Sequence, residues 1–212
     1  PPPPSPPPPP PPPSPSPPTA AYSFDTSTSS GWTTPQQAGE LPFTRMSGST
    51  PSTATGPTSG ADGSGYYYFA ETSGQYSRTF SLGYNGAMCT SAGMVVSTVS
   101  FRYHMYGATM GTLRVVDATG STVWTKVGNQ GNSWRSASSV ALYSSSFAFK
   151  YVSGSSFTGD AAIDQVSVQC GNALPPPPPP PSPPVAIYSF DTTTNSGWTT
   201  PQQAGERAFT RR

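Results

Sequence analysis

Asp160 and Asp164 stand four residues apart in the stretch GDAAIDQVSVQC. Two carboxylates so placed could act as an acid–base pair on a glycosidic bond. His104 is the chain's only histidine, and a serine–histidine–aspartate relay would have to be built on it. One histidine and two distant cysteines, Cys89 and Cys170, give no zinc-ligand spacing. Nothing beside these residues suggests a catalytic cleft, so the expectation is a protein that is not an enzyme. The aspartates have another use. Asp164 alternates with Val166, Val168 and Cys170, a set that reads as a core-facing strand face. A carboxylate on such a face needs a cation or several donors to offset its desolvation. A structural Ca²⁺, which takes oxygen ligands, is one answer. A salt bridge to Arg45 or Arg102, or capping of turn amides, is the other.

The elements that would position these groups read as strands. SFRYHMY (100–106) sets Phe101, Tyr103 and Met105 on one face and Arg102 and His104 on the other. FAFKYV (147–152) groups Phe147, Phe149 and Tyr151 in the same way. Further strand candidates begin at 65, 76, 94, 112, 122, 138 and 161, parted by Gly, Asn and Ser clusters. With no convincing helical stretch, the pattern predicts an all-β, two-sheet antiparallel jelly-roll sandwich. Tyr66, Tyr67 and Tyr68, with Trp32, could make an aromatic platform for sugars. Strand alternation leaves only one of the three tyrosines exposed, which argues for core packing instead.

Two further signals set the organisation. Of the 29 prolines, all but Pro35, Pro42, Pro51, Pro57 and Pro201 lie in two runs, at 1–18 and 175–184. Proline fixes φ and lacks an N–H, so such runs favour an exposed polyproline II rod. The second signal is a repeat: AYSFDTSTSSGWTTPQQAGELPFTR at 21–45 returns as IYSFDTTTNSGWTTPQQAGERAFTR at 187–211. Twenty of these twenty-five positions are identical. The expected layout is a linker at 1–19, a sandwich module at 20–174, a linker at 175–185 and the truncated start of a second module at 186–212. The chain reads as a window on a longer array. Charged residues make up 9% and the formal net charge is +1. No Lys/Arg cluster offers a nucleic-acid surface, and no apolar stretch approaches membrane-span length.

Four blocks in order, FTRMSGSTPSTATGPTSGADGSGYYYFAE, SFRYHMYGATMGTLRVV, VWTKVGNQGNSWRSASSVAL and GDAAIDQVSV, resemble a MAM domain. This is the extracellular module of meprins, neuropilins and receptor tyrosine phosphatases of the mu class. The resemblance implies a jelly-roll sandwich and a role in adhesion or assembly. It also implies that the first strand lies near the last, so that Asp25 could join Asp164. Asp62, in the ADGSG turn, matches the family's acidic loop position and makes a third candidate calcium ligand. The chain departs from the family's cysteines: Tyr22 and Ser30 stand where a local bridge is usual, and Thr98 or Val99 where another cysteine is. Two cysteines remain, and in an extracellular module a Cys89–Cys170 disulfide is expected over a pair of buried thiols.

The Ser-(Pro)n runs resemble extensins and other hydroxyproline-rich wall glycoproteins of plants and green algae. That likeness implies hydroxylation and O-glycosylation at Pro2, Pro3, Pro4, Ser5, Pro7, Pro8, Pro9, Pro10, Ser14, Ser16, Pro176, Pro177, Pro178, Pro179 and Ser182. No N-glycosylation sequon occurs. The functional expectation is an extracellular structural or adhesive repeat of a wall, surface or filament glycoprotein. Its partners would be other copies of the module and its attached glycans. The alternative is a carbohydrate-binding module that tethers the array to matrix polysaccharide.

Overall fold

A computed structural model describes residues 16–26, 31–33, 37–175, 178 and 180. Among these, twelve strands and one helical turn form a two-sheet sandwich. The strands are β1 (Thr19–Tyr22), β2 (Trp32–Thr33), β3 (Leu41–Pro42), β4 (Thr44–Ser47), β5 (Tyr66–Ala70) and β6 (Thr79–Tyr84). After the turn α1 (Ala87–Thr90) come β7 (Val95–Met105), β8 (Thr112–Asp117), β9 (Thr122–Val127), β10 (Gly131–Ser144), β11 (Phe147–Val152) and β12 (Ala161–Gly171).

One sheet runs β10-β7-β12-β5-β4, with β1 also paired to β12. The other runs β2-β6-β11-β8-β9, with β3 also on β6. All the pairings are antiparallel except the two-residue contact of β3 with β6, which is parallel. The early strands β1 to β4 lie only on outer edges, while β6, β7, β8, β11 and β12 carry partners on both sides.

Aromatic and branched residues at alternate positions explain the core. Phe101, Tyr103 and Met105 of β7 meet Leu113, Val115, Phe149 and Tyr151 of the facing sheet, all buried. Trp32 stacks on Phe149 with ring centroids 6.2 Å apart and meets Phe147 edge-on. Burying each such ring stabilises the fold by about 1.5–3 kcal/mol. The sequence misses a second, smaller apolar cluster: Tyr67, Phe69 and Ala162, covered by Met46 and Trp134. It lies on the face of the first sheet that points away from the facing sheet, because these positions alternate with core residues such as Tyr68 and Ile163. His104, expected on a polar face, is buried there, its ring 5.6 Å from that of Trp134.

One parity expectation fails, and its cause is local. The β12–β7 register shifts between Asp164 and Ser167, and Gln165 takes φ 46. This bulge inserts one residue, so Ile163 and Val166 both face the core and Asp164 turns to the opposite face. Asp164 therefore leaves the set it was grouped with, Val166, Val168 and Cys170. α1, absent from the sequence reading, carries Cys89. That residue bridges to Cys170 at the end of β12, with Cα atoms 5.3 Å apart.

Candidate functional site

The three aspartates singled out as oxygen ligands gather around the 60–66 turn. Asp164, 2% exposed, accepts the Ala61 amide at 2.8 Å through Oδ2 and the Gln165 amide at 2.6 Å through Oδ1. Asp25 accepts the Tyr66 amide at 2.8 Å, and Asp62 accepts that of Ser64 at 2.9 Å. Glycines make the close approach feasible. A Cβ on Gly65 (φ +70) would fall 2.1 Å from Asp25 Oδ1, and one on Gly60 would fall 1.9 Å from the Ser64 carbonyl. Desolvation pushes the Asp164 carboxyl up to about 6, against the lowering effect of its amide bonds, with Asp62 and Asp25 adding repulsion. The Tyr66 amide, followed by Ser23, holds Asp25 below its ordinary value.

The donors to these three carboxylates are backbone amides of the turn and of the bulge. Arg45 does not pair with Asp164. Its guanidinium donates to the carbonyls of Phe24 (2.7 Å) and Asp25 (2.9 Å) and lies 3.6 Å from the Tyr66 ring centroid. Arg102 sits opposite Asp164 in the ladder without a salt bridge to it; among the described residues Lys150 pairs with Glu40. No three His, Cys, Asp or Glu side chains among the described residues converge as a metal-ligand set.

Asp160 belongs to a different place. It is fully buried and accepts both the amide and the hydroxyl of Thr72 at 3.0 Å through Oδ1, while Oδ2 has no hydrogen-bond partner. Burial pushes its carboxyl up to about 6. Around it Thr55, Thr72 and Tyr151 tie neighbouring loops: the Thr55 hydroxyl accepts the Asp160 amide at 2.8 Å, and the Tyr151 hydroxyl donates to the Gly159 carbonyl at 2.5 Å. Sequence inspection misses these three, since an isolated Thr or Tyr carries no signal of a long-range bond. Asp160 and Asp164 face separate loops and form no acid–base pair. His104 meets the Asn132 side-chain oxygen at 3.2 Å, and burial pushes its pKa down to about 4. Among the described residues no serine–histidine–aspartate relay is assembled on it.

The aromatic platform does not form either. Tyr67 is fully buried, Tyr68 and Trp32 pack against the core, and only Tyr66 is exposed, with Arg45 over it. Where the family places a local cysteine bridge, Tyr22 packs edge-on to Trp32 at 5.4 Å and its hydroxyl donates to that of Tyr84 at 2.9 Å. Of the positions read as hydroxylated or glycosylated, Ser16 and Pro178 are described and exposed. Pro2, Pro3, Pro4, Ser5, Pro7, Pro8, Pro9, Pro10, Ser14, Pro176, Pro177, Pro179 and Ser182 lie outside the described residues.

Comparison with known families matches residues 23–172 to the MAM domain, meprin/A5/mu. The chain belongs to the MAM domain family. The MAM and fibronectin type III domain-containing protein 1 of Acropora millepora is 45% identical over 71 residues, 34% of this chain and 17% of that protein. The human MAM domain-containing glycosylphosphatidylinositol anchor protein 1 is 36% identical over 132 residues, 55% of this chain and 13% of that protein. This MAM chain thus spans less than a fifth of either relative. Among solved structures, a cleaved adhesin domain of Lys-gingipain from Porphyromonas gingivalis aligns over 71% of this chain and 96% of its own, with 14% identity and a TM-score of 0.49. No helix among the described residues is long and apolar enough to cross a membrane.

Proposed function

We propose that this MAM module is a non-catalytic structural and adhesive repeat of a secreted, O-glycosylated array. Proline rods hold modules apart, and modules meet other copies of the same chain. The observation that carries this reading is the repeat: beyond a proline run the opening of the module returns at 187–211. Membership of the MAM family supports it, as does the Cys89–Cys170 bridge, which suits an oxidising, extracellular compartment. Relatives named for a glycosylphosphatidylinositol anchor accord with a place at the cell surface.

The prolines and serines of the runs are the modification sites in this reading, since a rod without backbone donors leaves its rings open to enzymes and sugars. Peptide mapping of native material tests it. Peptides from 1–18 and 175–184 should carry added oxygen and sugar masses; bare peptides from both runs would overturn it.

A further inference from the structure

We propose that the module hangs from both of its linkers by one end. On this proposal β1 is a strand that tension releases, and the Cys89–Cys170 bridge clamps the opposite linker. β1 runs antiparallel to β12, with Thr19 opposite Gln169 and Tyr22 opposite Val166. One step further out, the Cys170 amide donates to the Pro18 carbonyl at 2.9 Å. In an antiparallel pair one chain arrives where its partner departs. Residues 16 and 17 and residues 172–174 therefore leave the sandwich at the same end of this pair. Tension between them pulls across the ladder, so its bonds are loaded one after another, beginning at Pro18–Cys170.

The two sides resist unequally. β1 is four residues long and pairs with β12 alone, through bonds that each contribute about 1 kcal/mol net. Its first firm hold is Tyr22, through the Tyr84 hydroxyl and the Trp32 ring. β12 is seated along β7, and Cys170 is joined covalently to Cys89 in α1. The Met94 amide donates back to the Cys89 carbonyl at 2.9 Å, which ties α1 to the start of β7. A pull from Leu174 thus crosses the sulfur bridge into α1 and β7 before it can peel β12. The bulge at Gln165 separates the residues that pair with β1 (166–169) from those that pair with β5 (161–163), so lifting β1 leaves β5 in place.

The mechanical use of this arrangement rests on the array reading; the geometry does not. The test therefore uses the whole chain without glycans, so its failure is separate from missing glycosylation. Spin labels on noncanonical residues at Ser16 and Leu174 should lie within about 20 Å of each other. A separation near 35 Å, about the length of an eleven-residue strand, would overturn the one-ended mounting. In hydrogen exchange, amides of β1 should exchange at least tenfold faster than those joining β12 to β7. Equal protection would overturn the releasable strand. Reduction should lower protection at residues 169–171 while the middle of β12 stays protected. No change there, or loss of the whole module at once, would overturn the local clamp.

Discussion

Asp164 holds Gln165 in the left-handed region: its Oδ1 accepts the Gln165 amide at 2.6 Å where that residue has φ 46. A non-glycine residue in this conformation costs roughly 1–3 kcal/mol and persists only when its surroundings fix it. The other oxygen of the same carboxylate takes the Ala61 amide, so one side chain pins both the bulge and the turn above it. Asp164→Ala leaves two amides without acceptors and should destabilise the module by about 2–4 kcal/mol. Asp164→Asn, which keeps one good acceptor, should lose less. Arg102→Ala should change little, because no ion pair joins it to Asp164. Denaturant unfolding of the three variants checks the order; a loss at Arg102 equal to that at Asp164 would restore the salt-bridge reading.

The two buried carboxylates give stability an unusual slope with pH. Asp160 and Asp164 both have folded values raised to about 6 from 3.8, chiefly by burial. Their protonated forms are favoured in the folded state, so this contribution is complete below 3.8 and is lost as pH rises through about 6. His104 works in the other direction: its value falls from 6.5 to about 4, and its contribution is lost as pH drops across that window. Two carboxylates oppose one imidazole. The melting temperature should therefore rise modestly as pH is lowered from 7 to 4.5. Carboxyl-carbon NMR should place the Asp160 midpoint near 6; a midpoint near 4 would remove the argument.

Much of this frame is legible in the residues themselves, and each exception has its own physical cause. TLRVVD, TVWTKV and FAFKYV are strands with the expected limits, because each fills a two-residue period with branched and aromatic side chains. Strict alternation puts Asp164 on the wrong face because a bulge adds a residue without a sequence mark. His104 shares its parity with the polar Arg102 and Ser100, yet it is buried, with Trp134 of β10 against it. β1 to β4 are too short to show periodicity; they bind as edges to strands that already exist.

Trp134 covers one side of the buried His104 ring. The indole lies 5.6 Å from the imidazole, and its Nε1 donates to the Ser59 carbonyl at 3.0 Å, closing the loop over the outer cluster. Trp134→Ala should admit water, raise the His104 pKa from about 4 toward its ordinary 6.5, and destabilise by about 2–4 kcal/mol. Trp134→Phe should keep most of the cover and move the pKa less. Imidazole titration by NMR reads both; an unmoved midpoint in the alanine variant would show that other residues exclude the water.

Calcium binding by Asp25, Asp62 and Asp164, one of the two answers open at the sequence level, makes a prediction opposite to that of capped turn amides. A carboxylate that accepts one amide still has lone pairs for a cation, so those bonds alone do not decide the matter. A calcium site also needs its oxygens to converge, and six to eight of them to reach the ion. Asp25 and Asp62 are exposed, and no three acidic, histidine or cysteine side chains among the described residues form a ligand set. With amides as the partners, a chelator should leave the melting temperature unchanged, while Asp25→Ala should lower it slightly through the lost Tyr66 amide acceptor. A drop of several degrees in chelator, reversed by calcium and not by magnesium, would instead put a cation among these three carboxylates. It would also change the pH argument, since a bound divalent ion would offset the repulsion that helps to raise Asp164 and would flatten the acid side of the stability curve.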